Sequence, residues 1–538
     1  MENTHARDKV TRDKVTRYKV TKYNNIYNTT IIMKAKTLLL ALLAIVQGAW
    51  AQSPEPSTEL TKLSQFMYST TYSFNYPSVN EAGEPIVLSS ALIAWTPSDP
   101  QESDAIETIL IYSHVTICAD SECPSADQGT PEMTVIKALP RRDYKDANYL
   151  GRCVIIAPDY QGYGVSKDAI HPYLSQRLTA RQVLDAYNYG MQLYNKQASQ
   201  KSPDNPLLPV IDDWRTFTFG YSQGGAVSLA VQRLIEEEGL SDPMHYYGSF
   251  IGDGPYDLVS TLRYYFFDDG DSYGAQTVHR TGITTYPVVL PLILKGMCDT
   301  YPELSPYSVS DLLSQQFLDT GVVDWIASKQ YSTDDMGAMW AQQLKDGLDV
   351  PGRHYTPEQM AEMFFVGADG KIYAYLEKIL SPQTYAYLSD PANTTTVPAS
   401  ATNAQEAAHR AIASNTVASG WQPQHRIQFF HSLYDMIVPY GNFLAFSDAH
   451  PGDDGNIYQI NNTFAEKDHL DAATIFFGNF IGGVYGSQFN WISEGQSPSA
   501  IHSISANTPA TTVRKVLQGN RLTIIKNGKL YSLLGQER

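Results

Sequence analysis

The sequence is poor in cysteine, with four in 538 residues, and no group of cysteine and histidine residues has the spacing of metal ligands. We therefore predict neither a structural metal nor a bound cofactor. Cys118 and Cys123 are close enough in the chain to pair across a loop. Cys153 lies within a predicted strand and Cys298 is far away, so the disulfide pairing stays open.

An excess of positive charge is also missing. The chain has 39 Lys and Arg against 56 Asp and Glu, which gives a net charge of −17. Residues 1–51 carry six net positive charges, so the remainder is near −23. This balance excludes nucleic acid as a partner and disfavours adhesion to anionic lipid, but it leaves uncharged substrates open.

Long apolar runs are absent beyond the segment "MKAKTLLLALLAIVQGAWAQ" near the N-terminus. Two lysines precede its short apolar run, and Ala49 and Ala51 stand where a signal peptidase reads small residues. We predict a signal peptide over residues 33–51 and export to the periplasm, the outer surface or the medium, without stable membrane insertion. The basic repeats of residues 1–32 either precede a true start at Met33 or form a disordered arm. Nothing indicates the oligomeric state.

The segments that follow alternate between strand and helix patterns. "TTYSFNYPS" and "EPIVLSSALIAWTP" predict two antiparallel strands, and "ETILIYS", "CVIIAPDY", "RTFTFG" and "YYGSFIGDGPYDL" predict four more, with helices between them, among them one over 131–149. Continuous apolar strands are typical of parallel sheets covered on both faces. We therefore predict an α/β core over residues 52–258 and 425–493.

The next strand, "RIQFFHSLYD", begins only at Arg426. The intervening residues 259–424 are mostly helical and Tyr-rich in pattern and too many for a loop, so we predict a helical cap inserted between the sixth and seventh strands. Residues 494–512 read as a polar linker. Residues 513–538 predict a short β module with a turn at Asn527-Gly528.

One short motif carries the chemistry. In "RTFTFGYSQGGAVSLAVQRL", a strand pattern is followed by G-Y-S-Q-G and then by a helix pattern. On a parallel sheet this arrangement puts the serine, Ser222, on a sharp turn at the carboxyl edge, and Gly220 and Gly224 leave room for that turn. The sequence thus predicts a nucleophilic serine.

A nucleophilic serine needs a base and an acid that orients the base, in the chain order Ser, Asp or Glu, His. Asp435, in "LYDMIVP" after the strand that follows the cap, is the predicted acid. His469, between the last strand and the last helix, is the predicted base. His450 is the rival histidine, in a turn at the end of the preceding helix.

Two N–H groups are needed to bind the oxyanion. The residue after the nucleophile, Gln223, supplies one, and the loop "SHVTIC" after the third strand supplies the other through Val115 or Thr116.

These motifs, "GYSQGG", "APDYQGYG", "YDMIVP" and "KDHL", resemble the α/β-hydrolase superfamily over roughly residues 66–490. The large cap, with "GDGPYDL" at its entrance, is similar to the secretory lipase branch, which includes lipase A-like enzymes. The resemblance implies ester hydrolysis by a Ser-Asp-His triad and a cap that forms the acyl tunnel, although the oxyanion loop departs from the usual H-G-T form. The C-terminal strands resemble short modules on exported proteins of Bacteroidetes, which implies a sorting or docking role or a leftover hairpin.

We therefore expect a secreted serine hydrolase that cleaves small-molecule or lipid esters. A serine exopeptidase could use the same residues, with an acid such as Asp334 or Asp335 to hold a substrate ammonium group. A carbohydrate esterase, suggested by 36 tyrosines, and a binding module without activity are the further alternatives.

Overall fold

The computed structural model describes residues 54–126, 130–141, 150–200, 205–267, 281–453, 455–461, 466–481, 483 and 485–494, and the backbone of three strands between residues 513 and 531. The predicted signal peptide, the basic N-terminal segment, most of the linker and the Asn527-Gly528 turn lie outside these residues. The chain divides into two compact units, Met1–Glu494 and Gly495–Arg538. No helix in the described ranges has the length and apolar character needed to cross a bilayer.

The strands are numbered along the chain. They are β1 (Thr61–Phe66), β2 (Ser69–Val79), β3 (Pro85–Trp95), β4 (Ile106–Ser113), β5 (Cys153–Pro158), β6 (Val210–Tyr221), β7 (Tyr246–Gly252), β8 (Ile283–Thr284), β9 (Leu348–Val350), β10 (Arg353–Tyr355), β11 (Phe364–Val366), β12 (Ile372–Tyr375), β13 (Arg426–Phe430), β14 (Tyr458–Asn461), β15 (Val513–Gln518), β16 (Arg521–Lys526) and β17 (Lys529–Tyr531).

The α-helices are numbered in the same way. They are α1 (Pro131–Ala138), α2 (Gln176–Ala198), α3 (Gln223–Glu237), α4 (Ser241–Met244), α5 (Leu258–Phe267), α6 (Val289–Thr300), α7 (Val309–Leu312), α8 (Gln315–Asp319), α9 (Val322–Ser328), α10 (Thr333–Asp346), α11 (Pro357–Ala361), α12 (Leu376–Ile379), α13 (Pro382–Leu388), α14 (Pro391–Thr395), α15 (Ala404–Ser414), α16 (Gly441–Ala449), α17 (His469–Ile481) and α18 (Gly486–Ser493).

The central sheet of the first unit has nine strands within the described residues, in the order β1-β2-β3-β5-β4-β6-β7-β13-β14. β1, β2 and β3 pair antiparallel, and β3 pairs antiparallel with β5. The remaining neighbours in the sheet, β5, β4, β6, β7, β13 and β14, all pair parallel. The carboxyl ends of β4, β6, β7 and β13 therefore lie side by side at one edge. The predicted functional residues Ser222 and Asp435 follow β6 and β13, at this edge.

Helices cover both faces of the sheet, which explains why the inner strand β5 is apolar throughout. Along β5, Val154 and Ile156 pack into one cluster with α2 and α3, whereas Ile155 packs into another with α1, α17 and α18. Successive side chains of a strand point to opposite faces, so both faces of β5 are buried. The continuous apolar run "CVIIAP" follows from this double burial.

The segment between β7 and β13, residues 253–425, contains α5–α15 and the short strands β8–β12. Most of its buried apolar side chains form a cluster around Trp340, Phe317 and Phe364. Tyr173 and Leu174, from the loop before α2, join that cluster from the core side. The inserted segment is thus packed internally and against the loops at the carboxyl edge of the sheet.

Several elements differ from the sequence prediction. β1 was not predicted, because "TKLSQF" is a mostly exposed edge strand without an apolar face. Because β1 adds one strand at the start of the sheet, the insertion follows the seventh strand in chain order rather than the sixth. The helix predicted over 131–149 ends at Ala138, with residues 142–149 outside the described part. Where the inserted segment is described, it also contains two small sheets, β9–β10 and β11–β12–β8.

The four cysteines all lie within the described residues and are free thiols. Cys118 packs in the cluster of the inserted segment and Cys123 in a separate small one, so the pairing that their spacing allows is not formed. Burial raises the pKa of each thiol, which keeps it protonated and unreactive.

Candidate active site

Ser222 lies in the turn between β6 and α3 and has a backbone conformation that L-residues rarely adopt, with φ 58° and ψ −125°. Its N–H donates a hydrogen bond of 2.9 Å to the carbonyl of Gly252, at the end of β7. Such conformations persist only where the surrounding structure enforces them, and they are concentrated at functional sites. The turn therefore holds the serine at the carboxyl edge of the sheet.

The glycines on either side of Ser222 are required by close packing of backbone on backbone. A Cβ atom on Gly224 would lie 2.0 Å from the carbonyl oxygen of Ser113, at the end of β4. A Cβ atom on Gly220 would lie 2.4 Å from the carbonyl oxygen of Gly224. No side chain can be accommodated at either position without moving a strand or the helix.

Alanine at Gly224 is expected to lower the free energy of unfolding by about 3 kcal/mol, because the clash is with backbone that cannot rotate away. Gly337 is the matched control: it lies within α10, and a Cβ atom there meets nothing within 4 Å. Gly337→Ala should raise stability by up to about 1 kcal/mol. Thermal unfolding followed by circular dichroism compares the two variants, and equal midpoints would contradict the packing argument.

The three residues predicted from chain order lie in one hydrogen-bonded row. His469 Nε2 is 2.9 Å from Ser222 Oγ, and His469 Nδ1 is 2.5 Å from a carboxylate oxygen of Asp435. The other Asp435 oxygen accepts the N–H groups of Ile437 and Val438 at 2.8 and 2.7 Å. Because a carboxylate only accepts, the proton of the neutral imidazole is assigned to Nδ1, which leaves the Nε2 lone pair facing the serine hydroxyl.

His469 is 6% exposed, and its proton affinity reflects opposing influences. Burial alone lowers its pKa, but the charge and the hydrogen bond of Asp435, with smaller contributions from Asp253 and Asp468, outweigh burial. The pKa of His469 is therefore raised above its usual value of 6.5. Histidine is the side chain that can both accept and return a proton near neutral pH.

His450, the rival histidine, has a structural role. Its Nδ1 lies 2.8 Å from the carbonyl of Phe446 and its Nε2 lies 3.0 Å from the carbonyl of Trp421. Both ring nitrogens thus face backbone carbonyls at the end of α16. The structure brings His469, and not His450, to Ser222.

Gln223, Val115 and Thr116, the predicted oxyanion donors, line the same cavity as Ser222 and His469. Gln223 is the first residue of α3, where N–H groups have no acceptor within the helix. The Val115 carbonyl is 2.6 Å from Nδ1 of His114. Burial lowers the pKa of His114 to about 4, so its ring is neutral and has one N–H. Its Nε2 is 3.2 Å from the Asp159 carbonyl, so the shorter contact at Nδ1 favours donation to Val115. In a trans peptide, the Thr116 N–H points away from the Val115 carbonyl and hence away from His114.

A cavity of about 560 Å³ opens at Ser222. Its walls are mainly apolar, and they come from the loop after β4, the loop before α2, the helices α1 and α17, and the inserted segment. Val115, Val135, Leu174, Leu258, Ile293 and Phe477 are among them. Among the described lining residues Glu132 is the only acid, and its Oε1 is buried without a hydrogen-bond partner. Burial raises the pKa of Glu132.

The acids suggested for binding an ammonium group lie elsewhere. Asp334 and Asp335 are exposed in the first turn of α10, and neither lines the cavity. The carboxylate of Asp335 accepts the N–H of Ser332 at 2.9 Å as part of a capping box. Asp335 thus caps the helix.

Asp253, His431 and Asp435 have potential ligand atoms within 4.8 Å of one another, close enough for a metal ion. These atoms are already used in hydrogen bonds. One oxygen of Asp253 accepts the N–H of Ser432, and Nε2 of His431 is 2.9 Å from the Val438 carbonyl. Asp435 uses both oxygens, as described above. The donor set is that of a hydrogen-bonded cluster and does not fit a metal ion.

The sequence reasoning missed Asp253, Tyr221, His114 and Glu132. Asp253 directly follows β7, so the rule that selected Asp435 after β13 could have found it. Tyr221 and His114 flank assigned residues, but nothing in their spacing distinguishes them. Glu132 follows Pro131 at a helix start, where an acid is usual, so no signal indicated a cavity.

No family model matches the chain, and no curated protein matches it in sequence. Solved structures match its fold. The rice cell wall degrading esterase LipA from Xanthomonas oryzae is 18% identical, over 80% of this chain and 97% of its own, with a TM-score of 0.55. A putative hydrolase from Legionella pneumophila is 14% identical, over 80% and 91%, with a TM-score of 0.51. Candida antarctica lipase A is 12% identical, over 79% and 82%, with a TM-score of 0.46.

The first two likenesses, together with the strand order, show the fold. The chain has the α/β-hydrolase fold with a mostly parallel central sheet, and the fold class predicted from the sequence is confirmed.

Proposed function

We propose that this chain is an exported serine hydrolase that cleaves carboxylic esters through an acyl-enzyme on Ser222. The observation that carries the proposal is the hydrogen-bonded row Ser222–His469–Asp435 at the mouth of an apolar cavity. Its exported location is supported by the signal-peptide pattern of residues 33–51.

The reaction has two stages. His469 Nε2 takes the Ser222 proton while Oγ attacks the ester carbonyl, and the resulting imidazolium protonates the leaving alcohol as the C–O bond breaks. Water then gives a proton to Nε2 and attacks the acyl-enzyme, and the proton returns to Ser222 Oγ as the acid leaves. Asp435 keeps the Nδ1 proton in place and stabilises the imidazolium throughout.

The oxyanion is held by the N–H of Gln223 and, of the two candidates, by the N–H of Thr116 rather than that of Val115. The choice is supported by the contact between His114 and the Val115 carbonyl, which fixes the peptide that carries the Thr116 N–H. Each donor contributes about 3 kcal/mol to lowering the barrier.

The apolar cavity supports an acyl chain as the bound part of the substrate, and hence lipase or esterase activity. Residues 259–424 serve in this proposal as a cap over the acyl site, supported by the lining residues Thr261, Tyr286, Val289 and Ile293 that they supply. A closer link to the secretory lipases rests on the sequence resemblance. A carbohydrate esterase is the further alternative, prompted by the name of the Xanthomonas neighbour.

Serine exopeptidase activity is the second candidate, and Glu132 is the observation that favours it. A buried carboxyl oxygen without a partner, in an otherwise apolar cavity, could receive the ammonium group of a peptide. Only one acid is present there among the described residues, so the apolar character of the remaining walls favours the ester.

The function is tested with purified protein on p-nitrophenyl esters of increasing chain length beside aminoacyl p-nitroanilides. We expect ester cleavage, and labelling of Ser222 by a fluorophosphonate detected by peptide mass spectrometry. Preference for the anilides would overturn the esterase assignment. A folded protein without any labelling at Ser222 would indicate a binding module.

Glu132→Leu is expected to raise kcat/KM for long-chain esters about tenfold, because it removes a desolvated carboxyl from the path of the acyl chain. Glu132→Gln is the matched control, since it keeps size and polarity but cannot carry charge. If Glu132 binds an ammonium group instead, both variants lose activity on aminoacyl substrates and gain nothing on esters. Steady-state kinetics on both substrate series separates these outcomes.

A further inference from the structure

A second carboxyl, Asp253, lies behind the row formed by Ser222, His469 and Asp435. It directly follows β7, has a positive φ of 38° and is fully buried. Its backbone N–H donates to the Phe430 carbonyl at the end of β13, at 2.9 Å. Nothing in the reaction as described above uses this group, although a buried carboxyl is costly to retain.

Asp253 joins the three chain segments that carry the proposed catalytic residues. One oxygen accepts the N–H of Ser432, three residues before Asp435, at 2.7 Å. The other accepts a hydrogen bond from the hydroxyl of Tyr221, the residue before Ser222. The same hydroxyl lies 2.8 Å from the backbone carbonyl of His469.

A count of protons shows that this chain of contacts depends on the charge of Asp253. The Tyr221 hydroxyl has one proton but faces two acceptors, the Asp253 carboxylate and the His469 carbonyl. If Asp253 is ionised, the single Tyr221 proton can form a hydrogen bond with only one of these two acceptors. If Asp253 is neutral, it donates to Tyr221 and Tyr221 donates to His469, so both contacts are complete.

The groups that face Asp253 come from every element packed around it. They are Tyr221 at the end of β6, Tyr256 after β7, His431 and Asp435 after β13, His469 at the start of α17, and Tyr485 before α18. Burial raises the pKa of Asp253 to about 6; His431 opposes the rise, Asp435 adds to it, and His469 and Tyr221 oppose it. Asp253 thus gains its negative charge near pH 6, whereas the pKa of His469 is raised above 6.5.

We propose that Asp253 is a positioning residue of the site, which holds the segments of Ser222, Asp435 and His469 together and whose charge sets the proton affinity of His469. The inference rests on the proposed function only for its effect on turnover. Ionised Asp253 stabilises the imidazolium form of His469, and neutral Asp253 completes the two hydrogen bonds through Tyr221.

Asp253→Asn separates charge from hydrogen bonding, because an asparagine amide can accept from Ser432 and donate to Tyr221. Without the negative charge, His469 loses its proton at lower pH. We expect the His469 titration midpoint, and with it the acid limb of kcat/KM, to move down by about 1 pH unit. The plateau kcat should fall about tenfold, because the imidazolium that forms during the reaction is less stabilised.

The midpoint is measured without any substrate, by NMR of ¹⁵N-histidine in the full-length protein, with the His469 signal identified by its loss in His469→Gln. Asp257→Asn is the matched control, because Asp257 caps α5 through the N–H groups of Val259 and Ser260. The His469 midpoint in Asp257→Asn should equal that of the wild type. If Asp253→Asn does not fold, Tyr221→Phe replaces it and should also lower the midpoint, because loss of the Tyr221 hydrogen bond raises the pKa of Asp253.

An unchanged His469 midpoint in the folded variant overturns the inference, because a purely structural Asp253 would leave it in place. If the midpoint moves but no ester is cleaved, the proposed function fails while the link between Asp253 and His469 stands. If ester is cleaved but the midpoint does not move, the proposed function stands and the link between Asp253 and His469 fails.

Discussion

Ser222→Ala is expected to lower kcat for ester hydrolysis by about 10⁵-fold or more. The variant loses the oxygen atom that forms the acyl-enzyme, and neither His469 nor Asp435 can form that bond in its place. Residual activity comes only from substrate binding and the oxyanion donors. Steady-state kinetics with a chromogenic ester and fluorophosphonate labelling both measure the loss.

Ser228 provides the matched control for this variant. It lies in the same helix, α3, is fully buried, and its hydroxyl has no hydrogen-bond partner among the described residues. Ser228→Ala therefore removes a buried hydroxyl from α3 without touching the site, and kcat should stay within about twofold of the wild type. An active Ser222→Ala, or an inactive but folded Ser228→Ala, would contradict the assignment of the nucleophile.

The fold could be predicted because its signals are local. β5 is apolar on both faces, and β6 runs into a G-x-S-x-G turn and an amphipathic helix, so the 28 residues from Val210 to Glu237 contain the whole strand–turn–helix pattern. Chain order then indicated Asp435 and His469, and the structure places His469 within hydrogen-bond distance of both Asp435 and Ser222. Their roles in catalysis stay a prediction until they are measured.

Other features could not be predicted because they are set by distant contacts. The polar strand β1 exists only because the edge of β2 is available for pairing, and its own sequence has no strand pattern. The importance of Asp253 depends on Tyr221, Ser432 and His469, which come together only when β6, β7 and β13 lie side by side. The spacing of these residues in the sequence does not indicate that they come into contact.

Burial also separates residues of the same type that the sequence treats alike. His450 and His469 both follow helix or loop patterns in the last part of the core, but His450 faces two carbonyls whereas His469 faces a hydroxyl and a carboxylate. A histidine between two carbonyls has no group to which it can transfer a proton. The partners of the ring nitrogens therefore decide which histidine can act as a base.

Asp435→Asn is expected to lower kcat by about 10⁴-fold while leaving substrate binding almost unchanged. The side chain of Asp435 is fully buried, and its carboxylate oxygen lies 2.5 Å from Nδ1 of His469, whose proton it accepts. An asparagine amide that donates to Nδ1 favours the opposite tautomer, in which Nε2 carries the proton and cannot accept one from Ser222. The loss of the carboxylate also lowers the pKa of His469, because its charge is the main influence that raises it.

Asp468→Asn is the control for a change of charge beside the same histidine. Asp468 is exposed and accepts the N–H of Asp471 at 2.8 Å, a contact that asparagine can keep. Its loss should change kcat by no more than about threefold, since exposed charges are screened by water. The same Asp→Asn change should thus cost about 10⁴-fold at Asp435, about tenfold at Asp253 and little at Asp468. If Asp253→Asn lowered kcat more than Asp435→Asn, Asp253 rather than Asp435 would orient the base. The catalytic acid would then follow β7 rather than β13.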